Sequence, residues 1–369
     1  MGTRNTAKLH HFVPQGHLRG FANDQSRLTV IPLDRSREPF TTLVKNVAAQ
    51  THFHTVPEAD EPDAFEKALS TVEGQAIGML RRLEGGEFPL PEEDRESLSF
   101  YFALLAVRGP DTRRTMEQMQ SKLVRLEIGA GGRSNVKRWI SKNLGFDAND
   151  EQAQRIWDQA TQPGGPPITL PVAVHIEHMI ETARELAKYI ATRPWSLYRF
   201  DRRSLLICDA PVSLIRNPKD DASQLGVGFA TAWGIAIPIN RKLGLLMNDP
   251  TAVLERLDMD DPRIGRIRAA VVRGSVDSVE IGTTAIERLF NEHTAGSARE
   301  YIYCHPDDER FVPNDLHEPT LINVQADGLM DVEFDGEPWF PPSNKMREPE
   351  ETPAASDTSE DLADYDVTR

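Results

Sequence analysis

The stretch LAKYIATRPWSLYRF, Leu186 to Phe200, is where the character of the chain changes. Up to about Ala191 the residues follow a helical period. Pro194 then stops the helix, because proline disfavours helical backbone in the residue before it and has no N–H to donate. From Trp195 onward the runs WSLYRF, SLLICD, FATAWGIAIPI, LGLLM, EYIYCH and LINVQ are strand-like, with helical patterns only at about Ala252 to Arg256, Ile264 to Arg273 and Val276 to Asn291. This predicts an α+β fold, a helical N-terminal half packed against a mostly antiparallel sheet in the C-terminal half.

Backwards from Pro194, a helix starts at Pro171, and the loop TQPGGPP separates it from helical patterns at about Ala148 to Ala160, Asn135 to Leu144 and Asp111 to Leu126. Glu92 to Val107 contains LSFYFALLAV, apolar on nearly every side, which predicts a helix buried all round. Asp63 to Leu83 is amphipathic and ends at Gly85-Gly86. Before it, RLTVIPLDRSREPFTTLVKNVAAQTHFHTV reads as a small hairpin or edge sheet. Four segments follow: 1–60, an N-terminal motif with a small β-rich region; 61–193, helical; 194–340, an α+β sheet region; and 341–369, a disordered acidic tail. From Lys345 to Arg369 the tail has eight acidic residues against three basic ones and little to bury.

Composition narrows the function classes. Hydrophobic residues make up 39% and charged residues 27% of the 369, as in folded globular proteins. Two cysteines, Cys208 and Cys304, exclude a disulfide framework and a cysteine-rich zinc site. No segment resembles a signal peptide or a membrane span, so a cytoplasmic location without membrane attachment is the expectation. The net charge of −15 disfavours non-specific binding to nucleic acid, and no other partner can be named.

Within the amphipathic helix, Glu66 and Glu73 fall inside the apolar arc, seven residues apart and one above the other. A buried carboxylate is costly unless it is paired, hydrogen-bonded or bound to metal. Arg108, at the end of the all-apolar helix, is a ready partner. The alternative is that both glutamates converge with a histidine and another carboxylate on a divalent ion. Asp209 interrupts the apolar run SLLICDAPV, either as a turn cap or as a functional group. His10 and His11 face opposite sides if extended, so at most one reaches a given pocket. His52 and His54 share a strand face without a third ligand in sequence, and His175 and His178 read as a solvated helix face. CHPDDE, Cys304 to Glu309, offers a histidine and aspartates to a metal, but His-Pro-Asp-Asp is also ordinary turn chemistry. P-loop, dinucleotide and nucleophile-elbow motifs are missing.

The opening HHFVPQGHLRGF, with His10, His11, Val13, Pro14, Gln15, Leu18, Arg19 and Phe21, resembles the signature of domain-of-unknown-function family 4238, microbial proteins that begin with an HHYVPQFYLRNF-like motif. FEKALSTVE with Glu66 and Glu73, FALLAVRGP with Arg108, CDAPV with Asp209, and FNEHTAGSAREYIYC with Asn291 follow in order. Phe12, Gly16-His17 and Cys208 depart from the usual pattern. The resemblance implies a fold and candidate positions, and no activity.

Two functions remain. One is a metal-dependent hydrolase, phosphodiesterase or nuclease-like. There His10 or His11 joins Glu66, Glu73 and Asp209 around Mg²⁺ or Mn²⁺, with Glu66, Glu73, Arg108 and Asp209 as the catalytic set and Arg108 stabilising developing charge. The other is a non-enzymatic binding or regulatory protein of a microbial defence or mobile-element system, with the same residues forming a structural polar network.

Overall fold

A computed structural model of the chain describes residues 9–218, 226–250, 261–321 and 332–339. The expected helix at 252–256, most of the expected strand LINVQ and the expected tail at 341–369 lie outside the described residues. The chain divides into two compact units, one of residues 1–121 and 167–327, the other of residues 122–166 and 328–369.

In chain order the helices are α1 (Gln15–Leu18), α2 (Ala64–Glu84), α3 (Glu92–Val107), α4 (Pro110–Gly131), α5 (Val136–Leu144), α6 (Asp150–Thr161), α7 (Val172–Ala191), α8 (Arg263–Val272) and α9 (Thr284–Ser297). The strands are β1 (Leu9–His11), β2 (Arg27–Pro32), β3 (Phe40–Leu43), β4 (Ala49–Thr51), β5 (Trp195–Arg199), β6 (Ile207–Cys208), β7 (Ser213–Ile215), β8 (Gly234–Asn240), β9 (Leu243–Asn248), β10 (Ser278–Ile281) and β11 (Tyr301–Cys304). Helices lie mainly in the N-terminal half and strands mainly in the C-terminal half, an α+β arrangement.

The first unit is built on a five-stranded sheet of order β10-β5-β9-β8-β7, antiparallel except where β10 runs parallel to β5. Trp195, Leu197, Ile235, Ile237, Leu245 and Met247 from this sheet share one core with α2, α3 and α7. That is why α3 is apolar on nearly every side: Leu98, Tyr101, Phe102 and Leu105 are all buried. Gly244 lets β9 pass under α9, since a Cβ there would stand 2.8 Å from the Phe290 ring. The β2–β3 hairpin joins β11 and β6 in a second sheet of order β3-β2-β11-β6.

One buried ion pair ties the layers together. Arg95 in α3, 1% exposed, bonds to Asp277 and to the carbonyls of Ala191 and Arg193, and its guanidinium carbon lies 4.1 Å from the centre of the Trp195 ring. Asp277 also accepts the Trp195 backbone N–H at 2.9 Å. Where a helix is expected from Val276, a turn leads into a strand at Ser278–Ile281, and the helix starts only at Thr284. Thr283 caps it by accepting the Ile286 N–H. Val279 and Ile281 are exposed at the sheet edge, so burial periodicity carries no signal there.

In the second unit Ile128, Val136, Ile140, Trp157 and Ala160 form a small core. Asn149 and Gln152 make a reciprocal capping box at the start of α6. Arg125 donates to the Gln162 carbonyl at 2.9 Å and to the Val332 carbonyl at 2.6 Å.

Candidate metal centre

β1 pairs antiparallel with β4, placing His10 opposite Gln50 and His11 opposite Ala49. Immediately after β4 the chain turns sharply: His52 has a φ of 55°, in the left-handed region, and Phe53 and His54 then enter the interior. The His54 backbone N–H donates to His10 Nδ1 at 2.9 Å, and the two imidazoles stack with centroids 5.8 Å apart. From the first turn of α2, Glu66 brings its Oε2 to 2.8 Å from His54 Nδ1 and 3.8 Å from His10 Nδ1.

Among the described residues, His10, His54 and Glu66 are the group of three whose ligand atoms lie within 4.8 Å of one another, so they could hold a metal ion. Both histidines are fully buried, while the Glu66 side chain is 22% exposed. His54 lies edge-on to Phe53 and Phe65, at 4.9 and 5.4 Å between centroids. Burial in this apolar setting pushes its pKa down to about 4, against the opposing hydrogen bond to Glu66. His54 is therefore neutral at pH 7, as a metal-ligating imidazole must be. Burial raises the Glu66 carboxyl, but the His54 hydrogen bond and the nearby His54, His10 and Arg108 outweigh it, and the net shift is downward.

Two arginines flank the group. Arg108 Nη1 lies 2.8 Å from Glu73 Oε1 as an ion pair without hydrogen-bond alignment, and Nη2 donates to the His11 carbonyl. Its Nε is buried without an acceptor among the described residues. The Arg113 guanidinium carbon sits 3.5 Å from the Phe53 ring centre, and burial lowers its pKa to about 10 despite nearby Glu117.

The other sequence-derived candidates are placed as follows. His11 points away from His10 and bonds to the Lys45 backbone, and burial pulls its pKa down. Glu73 is occupied by Arg108. Asp209 accepts the backbone N–H groups of Arg299, Glu300 and Tyr301 at 2.7, 2.7 and 3.1 Å, capping the entry to β11. Burial nevertheless pushes its pKa up to about 6. His175 is buried rather than solvated, with Nε2 3.3 Å from Glu117 Oε1, because α7 turns this face toward α4. In the turn after β11, Asp308 makes a two-bond pair with Arg241.

His54 is the ligand candidate that sequence reasoning left without company. Its partners stand 44 and 12 residues away, on a strand and a helix that only the fold brings together. No helix among the described residues is long and apolar enough to cross a membrane. No curated protein and no solved structure matches the chain. A family model does match, over residues 9–308, and the chain belongs to that family, described as protein of unknown function (DUF4238).

Proposed function

We propose that this chain is a metal-dependent hydrolase of phosphodiesters whose divalent ion is held by His10, His54 and Glu66. The observation that carries the reading is the convergence of two fully buried imidazoles and one partly exposed carboxylate, with ligand atoms within 4.8 Å of one another. Two nitrogens and one oxygen suit Mn²⁺ or Zn²⁺ better than Mg²⁺, which prefers an all-oxygen shell. Bound there, such an ion would supply Lewis acidity toward a phosphoryl oxygen and acidify water.

The chain's own residues complete the site. Glu66 offers the solvent-facing edge by which substrate approaches. Arg108 and Arg113 supply positive charge, and Arg108 has an N–H without an acceptor among the described residues, suited to an oxyanion. Glu73 orients Arg108, and Asp209 supports the second sheet from its backbone cradle. A cytoplasmic location belongs to the same reading.

Hydrolysis of bis(p-nitrophenyl) phosphate tests it, after chelation and again with Mn²⁺ or Zn²⁺ restored. Turnover should return with metal and stay at the chelated level in His54→Ala and Glu66→Gln. A Glu66→Gln variant as active as wild type would refute the assignment.

One observation favours a second reading. His10 Nδ1 already accepts the His54 N–H and His54 Nδ1 already bonds Glu66, so this network can hold the fold without an ion. Metal-independent stability and no turnover would assign the chain to the class of non-enzymatic binding or regulatory proteins.

A further inference from the structure

We infer that the cavity between α1, α2 and the turn joining β8 to β9 binds a phosphorylated small molecule carrying an apolar portion, such as a mononucleotide. Its volume is about 450 Å³, within the range of small-molecule sites. The chain as a whole carries −15, yet this cavity is lined by Arg19, Arg81, Arg241 and Lys242, with Glu84 as the carboxylate among the lining residues.

Three of the four cations keep their charge available. Arg241 is committed to Asp308 through two hydrogen bonds of 2.9 and 3.0 Å. Lys242 Nζ donates to the main-chain carbonyls of Asp201 and Arg203 at 3.2 and 2.6 Å, neutral acceptors that fix the ammonium without cancelling it. Among the described residues Arg19 reaches only the neutral amide of Gln15, at 3.4 Å. Among the described residues the Arg81 guanidinium has no acceptor. Uncompensated cations around one concavity concentrate anions there, and guanidinium groups match phosphate oxygens in geometry.

Apolar lining lies beside the cations: Ile77 and Leu80 come from the same helix as Arg81, and Ile239 precedes Arg241 in the chain. Gly20 packs closely against Asn240: a Cβ on Gly20 would stand 2.8 Å from the Asn240 Cβ, so that position has room only for glycine. A phosphate against Arg81, Arg19 and Lys242 with an apolar group against the neighbouring Ile77 and Leu80 uses both kinds of lining. Arg81 lies fifteen residues beyond Glu66 on the same helix, roughly 22 Å along its axis. The cavity is therefore separate from the candidate metal centre. Its volume and the overall negative charge point to a small molecule rather than a nucleic-acid strand.

Calorimetric titration of the full chain, with chelator present, tests the proposal with pyrophosphate, AMP and adenosine. Pyrophosphate and AMP should bind, more weakly as salt rises, and adenosine should not. Arg81→Glu and Arg19→Ala, both on exposed positions and each checked for an unchanged melting temperature, should weaken binding at least tenfold. No heat from either anion at millimolar concentration would overturn the proposal. So would pyrophosphate binding that survives both substitutions, or binding that disappears in His54→Ala instead.

Discussion

Glu73 Oε1 stands 2.8 Å from Nη1 of Arg108, a guanidinium with only 1% of its surface exposed, whose Nη2 donates to the carbonyl of His11. Through that arginine, α2 is tied to the end of α3 and to β1, the strand that carries His10. The pair thus acts on the position of a candidate ligand without being one.

Glu73→Gln should leave the buried guanidinium without its counter-charge. Removing one partner of a buried pair costs several kcal/mol, and the partial exposure of Glu73 places the loss at the lower end, about 2 to 3 kcal/mol. Urea unfolding measures it. The double variant Glu73→Gln/Arg108→Met should recover part of the loss, because no charge is then left uncompensated. Unchanged stability in the single variant would show that water, not Glu73, solvates Arg108.

A larger loss is expected at Arg95 and Asp277, where both side chains are almost fully buried. Asp277→Asn removes the charge that compensates Arg95 while keeping an acceptor for the Trp195 N–H, and should cost about 3 to 5 kcal/mol. The same denaturation experiment applies, and near-UV circular dichroism, to which Trp195 against Arg95 contributes, should report loosened packing. A variant as stable as wild type would mean that the Ala191 and Arg193 carbonyls and the Trp195 ring, not the Asp277 charge, compensate Arg95.

His17 supplies a pH dependence of defined sign. It is fully buried between the Tyr101 hydroxyl at 3.2 Å and the Pro238 carbonyl at 2.8 Å, and burial lowers its pKa to about 4 despite the carbonyl. The folded state therefore binds fewer protons than the unfolded state between about pH 4 and 6.5. Its contribution is complete above pH 6.5 and is lost as pH falls toward 4. From pH 7 to pH 5 this amounts to about 2 kcal/mol. His17→Gln, which does not titrate, should lose less stability than wild type over that interval. Parallel curves for the two proteins would contradict the assignment.

Much of this was legible from local pattern. The amphipathic phase of α2 puts Glu66 and Glu73 toward the interior, and the all-apolar run before Arg108 marks α3 as buried and Arg108 as a neighbour. Other features have no local signature. His54 looks like one of two histidines on a short strand until the left-handed turn at His52 carries it inward to His10 and Glu66. The Val276–Ile281 run reads as helix because β10 is an exposed edge strand, where alternation leaves no trace of burial. Arg95 sits where the helical wheel expects apolar contact, and its partner Asp277 arrives from 182 residues away.

The central claim is that His10, His54 and Glu66 bind a divalent ion, and thermal unfolding of chelated protein with Mn²⁺ or Zn²⁺ added back tests it most directly. At a metal concentration 100 times the dissociation constant, wild type should gain about 2.7 kcal/mol, while His54→Ala and Glu66→Gln gain nothing. A wild type whose melting curve does not respond to either metal, or a His54→Ala variant that responds as wild type does, would contradict it.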